Sequence, residues 1–202
     1  MTPPKFDTSL FLTINRFAER TPALHGFFLA VANYGIFVYF LLLLAGWLIA
    51  RRKSLSYMAA MFWSSVGALI ALGINQPIAH FFNEPRPYDV QHHILVLIKQ
   101  ANDSSFPSDH GVVIGAVTIG LFYVNRTLGY LSLFLGILIA FARVYTAAHY
   151  PLDLVAGFVL GGVVAYGGYK LTRSYLVRLF YLFLKTPLWP LFGSHPRQGK
   201  TP

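Results

Sequence analysis

Residues 21–50 contain no Asp, Glu, Lys or Arg, and residues 54–83 again contain none. A helix needs about 20 apolar residues to cross a hydrocarbon core of ~30 Å, and each run exceeds that length. Three shorter uncharged runs follow, at residues 111–125, 127–142 and 154–169. Charge is scarce throughout: 11% of the 202 residues are charged and 55% are hydrophobic. An ordinary soluble domain is about a quarter charged. A chain this poor in charge cannot clothe a surface in water, which excludes a soluble globular enzyme and a disordered chain. The predicted fold is all-α, a polytopic membrane helix bundle of about five transmembrane helices forming a single domain over residues 1–192. The polar tail, residues 193–202, is expected to be disordered.

The formal charge of +9 comes from sixteen Lys and Arg against seven Asp and Glu. A nucleic-acid surface would cluster the basic residues on a polar face. Here they fall between apolar runs, as Arg51, Arg52 and Lys53, as Arg126, and as Lys170 to Arg178. Five alternating helices put all three groups on one side, which the positive-inside preference makes cytoplasmic. The 83–107 loop and the 146–151 turn then face outward. Two interfacial helices are expected to flank the spans. The first carries Phe6, Leu10, Phe11, Ile14 and Phe17 at helical spacing. The second covers residues 175–192, where Arg178, Lys185, Pro187 and Pro190 interrupt the apolar pattern. The start of the chain lacks the basic-then-apolar order of a cleavable signal peptide. Cysteine is absent, so disulfides and cysteine nucleophiles are excluded.

Chemistry concentrates in three patches at the predicted outer face. Arg86 stands between Pro85 and Pro87, which restrict its backbone. Arg143 ends an uncharged run, where a guanidinium costs a few kcal/mol unless it snorkels or binds something. Two guanidiniums converging on one concavity suit a phosphate group. Ser108, Asp109, His110 and Gly111 open the third run behind Pro107. They read either as a plain helix cap or as an anion site built from free N–H groups, the helix dipole and a hydroxyl. His149 and Asp153 are spaced i, i+4. Either they form a structural pair, or the carboxylate fixes the imidazole tautomer and leaves the other nitrogen free to attack. His92 and His93 read as an exposed loop pair. No recognised metal-ligand spacing occurs, and two Arg residues can neutralise a phosphate without a cation, so no metal and no cofactor is expected.

In order and spacing, these patches resemble the type 2 phosphatidic acid phosphatase family. Its motifs are Lys-x6-Arg-Pro, Pro-Ser-Gly-His and Ser-Arg-x5-His-x3-Asp. Here Arg86-Pro87, Pro107-Ser108-Asp109-His110 and Arg143-x5-His149-x3-Asp153 stand in their places. Three positions depart: Ala79 replaces the lysine, Asp109 the glycine and Ala142 the serine, with Gln76 and His80 near enough to substitute for the lysine. The Pro-Ser-Asp-His form is similar to that of the bacitracin-resistance undecaprenyl-diphosphate phosphatases. The resemblance implies a membrane phosphatase in the bacterial cell membrane, its site facing outward, acting on a polyprenyl or phospholipid phosphate. It implies catalytic His149, His110 and Asp153: His149 attacks phosphorus, Asp153 orients it, and His110 protonates the leaving group. Arg86, Ser108, Arg143, Asp109 and Gly111 would bind the phosphate. A non-catalytic lipid-phosphate binder or transporter is the alternative outside enzymes; it would need the arginines but no nucleophile.

Overall fold

The computed structural model describes residues 2–99 and 103–187. Among them every regular element is helical. In chain order these are α1 (Lys5–Arg20), α2 (His25–Tyr34), α3 (Phe37–Lys53), α4 (Leu55–Phe82), the single turn α5 (Pro87–Val90), α6 (Asp109–Val124), α7 (Arg126–Tyr145) and α8 (Pro151–Phe183). The centre of the bundle is α6, which packs against α4, α7 and α8. Ten of its fourteen residues from Gly111 to Val124 are buried and the other four partly so. The helices α4, α7 and α8 are long and apolar enough to cross a membrane, and α2 with α3 forms a fourth such unit if counted as one span. At 16 residues, α6 is apolar but shorter. The all-α bundle therefore agrees with the sequence expectation.

Two boundaries differ from it. Residues 21–50 read as one continuous span, yet the chain bends by 54° between α2 and α3. The bend falls at Gly35, a residue type that favours kinks. A Cβ there would lie 2.7 Å from the Ile139 side chain of α7, so the bend brings the chain against its neighbour. Apolar periodicity is the same on both sides of the bend and gives no sign of it. The second difference is at the C-terminal end, where a separate interfacial helix was expected over residues 175–192. Instead α8 runs unbroken for 33 residues to Phe183. Arg178 does not interrupt it, because its side chain lies on the exposed face of the helix. Earlier in α8, Lys170 lies over the Tyr166 ring and Arg173 over that of Tyr169, while Arg173 also donates to Ser56 at 2.7 Å. No Pro or Gly follows Gly168 until Pro187. Residues 184–187 form a turn, and residues 188–192 of that expected helix and the 193–202 tail lie outside the described residues.

The contact that matters most for the site is between α6 and α8. Gly111 and Gly115 of α6 face Gly157 and Gly161 of α8, four residues apart on each helix. A Cβ on Gly115 would sit 2.0 Å from the Phe158 carbonyl oxygen, and one on Gly161 would sit 1.9 Å from that of Val112. Only glycine permits such an approach of two backbones. The Ser108 N–H reaches across to the Asp153 carbonyl at 2.9 Å. The first turns of α6 and α8 are thereby locked together.

Candidate active site

The N-terminal ends of α6 and α8, the C-terminal end of α7 and the 83–108 loop meet at one end of the bundle. They enclose a cavity of about 380 Å³ that Arg86, Asp109, His110, Arg143 and His149 line together with Asn75, Gln76, Ala79 and His80 of α4. All three patches singled out in the sequence therefore reach one site.

The turn between α7 and α8 places His149. Ala147 takes a left-handed conformation (φ 65°), and the Ala148 N–H donates back to the Arg143 carbonyl at 2.9 Å. The chain reverses within a few residues and turns His149 inward, 3% exposed. Its Nδ1 is 3.0 Å from the Ser105 carbonyl oxygen. A carbonyl only accepts, so Nδ1 carries the proton. Neutral imidazole then leaves Nε2 as an acceptor. Nε2 faces Arg86 Nη1 at 3.2 Å and the Ser108 hydroxyl at 3.4 Å. Arg86 Nη1 can only donate, which fits the same tautomer.

The i, i+4 spacing of His149 and Asp153 would put both on one face of a helix that contained both. Instead α8 starts at Pro151 with Tyr150 as its N-cap, so His149 precedes the helix and the pair meets across its start, Nδ1 to Oδ2 at 3.4 Å. The same oxygen accepts the Tyr150 N–H at 2.8 Å and the Ser105 hydroxyl. Ser105 therefore serves both partners, with its carbonyl on the imidazole and its hydroxyl on the carboxylate. His149 is held well below its usual 6.5, first by burial and then by the Arg143 and Arg86 charges.

Arg86 is 4% exposed and Arg143 2%. Arg86 donates to the Ala148 carbonyl at 2.7 Å and pairs through Nε with Asp103 at 2.8 Å. Ser108 is the N-cap of α6, yet its hydroxyl makes no cap bond and points to His149. The exposed Asp109 accepts from Asn75 at 2.8 Å and from Gln76 at 3.4 Å. The backbone of Gly111 is pressed against α8. Ala79 lines the cavity with Gln76 and His80 beside it, while Ala142 is fully buried among hydrophobic side chains. His92 and His93 are exposed.

Sequence reasoning passed over Ser105, Asp103 and Asn75. Asn75 is 1% exposed and its amide holds the Pro107 carbonyl at 2.9 Å as well as Asp109. A signal for it existed, since an Asn-Gln pair is out of place in an otherwise apolar span.

The PAP2 superfamily profile matches residues 61–175, which contain the whole of this cavity's lining. The chain belongs to the PAP2 superfamily. The undecaprenyl-diphosphatase BcrC of Bacillus subtilis is 30% identical to this PAP2 protein over 157 residues, 78% of this chain and 79% of the relative. An undecaprenyl-diphosphatase of Sulfolobus acidocaldarius is 25% identical over 163 residues, 80% and 76% of the two chains. Among solved structures, Aquifex aeolicus LpxE superposes with a TM-score of 0.66 over 81% of this PAP2 chain and 94% of its own, at 23% identity, a likeness of fold.

Proposed function

We propose that the chain is an integral membrane lipid-phosphate phosphatase that hydrolyses undecaprenyl diphosphate to undecaprenyl phosphate and inorganic phosphate through a phosphohistidine. The observation that carries this reading is the buried His149, its Nδ1 proton tied to Ser105 and its Nε2 lone pair aimed into a cavity shared with two arginines. The relatives' names supply the substrate class. Arg51 to Lys53 at the C-terminal end of α3, Arg126 at the start of α7 and Lys170 in the distal half of α8 support a cytoplasmic inner face and an outward site. The helices would lie in the cell membrane and hold the polyprenyl tail.

In this mechanism the terminal phosphoryl displaces Nε2 from Arg86, whose guanidinium turns to the phosphoryl oxygens with Arg143 and Ser108. Nε2 forms a bond to phosphorus as the bridging P–O bond breaks, and His110 gives a proton to the departing lipid phosphate. Asp153 and the Ser105 carbonyl stabilise the imidazolium as it gains charge. His110 then takes a proton from water, which cleaves the P–N bond and restores His149. Preorganised donors count most where charge develops on the phosphoryl oxygens.

The direct test is phosphate release from undecaprenyl diphosphate by detergent-purified protein with EDTA present, beside phosphatidic acid and phosphatidylglycerophosphate. Release with undecaprenyl diphosphate preferred supports the full reading. Preference for another lipid moves the substrate, and no release from any of them returns the chain to the binder or transporter class. Ser105→Ala keeps the carbonyl contact and removes one donor from Asp153. A hydrogen bond of about 1.4 kcal/mol corresponds to a roughly tenfold lower kcat, and wild-type kcat in this variant would dismiss the Ser105 hydroxyl as a contributor to the reaction.

Protonation gives a further expectation. Because the folded chain holds His149 far below 6.5, its imidazole resonances stay those of the neutral ring as pH falls through that value. Below 6.5 the unfolded chain binds a proton that folded His149 refuses, so its contribution to stability decreases as pH drops. Histidine-edited NMR and Tm measured across about pH 8 to 5.5 check both halves. A His149 signal titrating near 6.5 contradicts them.

A further inference from the structure

The turn that carries His149 is braced from outside by α1, which precedes the residues that define the family match. One face of α1 fits the amphipathic surface helix expected from the sequence, with Phe6, Leu10 and Phe17 exposed. The other face is unlike a surface helix. Asp7, Phe11, Asn15 and Ala18 are 0–1% exposed there, and a buried acid and amide need partners.

Those partners surround the turn. Asp7 Oδ1 accepts the Leu152 N–H at 3.1 Å from a position 145 residues away. At the start of α8, Asp153 already takes the Tyr150 N–H and Pro151 has none, so Leu152 carries the next donor that a helix end leaves to be satisfied. Phe11 meets Tyr150 edge-on with ring centroids 5.3 Å apart and packs in one cluster with Ala147 and Val144. Asn15 holds Leu95 through both its carbonyl, at 2.8 Å, and its N–H, at 3.0 Å. Two residues beyond Leu95, the N–H groups of Leu97 and Ile98 reach the Thr146 carbonyl.

We propose that Asp7 is a positioning residue of the active site: from α1 it caps the helix that bears Asp153, and so holds His149 and Asp153 in register for attack. The inference rests on the histidine chemistry proposed above. Burial pushes the Asp7 carboxyl up to about 6, with the Leu152 N–H acting against that rise and nearby Asp153 adding to it. A polar residue that merely dressed an interfacial helix would point to water and avoid that penalty.

The test compares Asp7→Ala with Asp7→Asn in the full-length detergent-purified protein, using two readouts. Amide exchange over residues 150–154 is expected to quicken about fivefold or more in Asp7→Ala and to stay near wild type in Asp7→Asn, whose carboxamide oxygen still accepts the Leu152 N–H. For phosphate release, kcat is expected to fall about tenfold in Asp7→Ala with KM within about twofold, and Asp7→Asn to recover most of it. Unchanged exchange in Asp7→Ala overturns the cap. Faster exchange with unchanged kcat overturns the positioning role, and so does an Asp7→Asn variant as impaired as Asp7→Ala. A wild-type chain inactive on every lipid overturns the histidine reading and the positioning role that rests on it. Exchange still reports on the cap in that case, so the two failures are told apart.

Discussion

His149→Ala is expected to reduce kcat for phosphate release by about 10,000-fold or more, the size of loss seen when a covalent nucleophile is removed. Substrate binding should survive, because Arg86, Arg143 and Ser108 remain. Wild-type protein quenched during turnover of a lipid diphosphate labelled at its terminal phosphorus should carry an acid-labile, base-stable label, and the variant should carry none. The prediction is this sharp because the Ser105 carbonyl and the Asp153 carboxylate both converge on His149. His110, which lines the cavity as His80 also does, lies in the first turn of α6 and would act as proton donor. Activity retained in His149→Ala, or a label that persists, would assign the nucleophile elsewhere.

Gly161→Ala should give the next largest loss, though it adds a single methyl group far from any reacting atom. The new Cβ would sit 1.9 Å from the Val112 carbonyl oxygen. A backbone carbonyl cannot swing aside as a side chain can, so α6 and α8 must part by about 1 Å or more. Overpacking of this kind destabilises by about 1–3 kcal/mol, or a Tm lower by roughly 2–12 °C in a chain of this size. The parting would also separate Ser108 and His110 from His149 and Asp153, and displacements near 1 Å can lower rates about 100-fold. Gly167→Ala, on the same helix with nothing within 4 Å of its Cβ, is the control and should leave Tm and kcat near wild type. Equal Tm values for the two variants would mean that the helices do not touch through their glycines.

Much of the site was legible because ionisable groups are rare in this chain. An arginine or histidine at the edge of an apolar run is costly unless used, so Arg86, His110, Arg143, His149 and Asp153 stood out as chemistry. Ser105 did not. Its decisive contact is made by a main-chain carbonyl, which every residue possesses and no side-chain pattern reveals. Asp7 was hidden differently: on an amphipathic helix an acid reads as part of the wet face, and only the packing of α1 on α8 turns it inward. In the fold, the apolar runs disclosed the spans but not the bend at Gly35. Arg178, Lys185 and the prolines suggested an interruption, whereas Arg178 sits on the exposed face of α8 and the helix continues to Phe183.

The glycine contact between α6 and α8 divides the labour around the cavity. Ser108 and His110 ride on one helix of that pair, and His149 and Asp153 on the turn and start of the other, so the residues proposed to make and break bonds stand on a single rigid floor. The wall opposite belongs to α4, where Gln76, Ala79 and His80 border the same space without belonging to that pair. A substitution at Gln76, Ala79 or His80 can therefore reshape the cavity's wall without placing a side chain between α6 and α8.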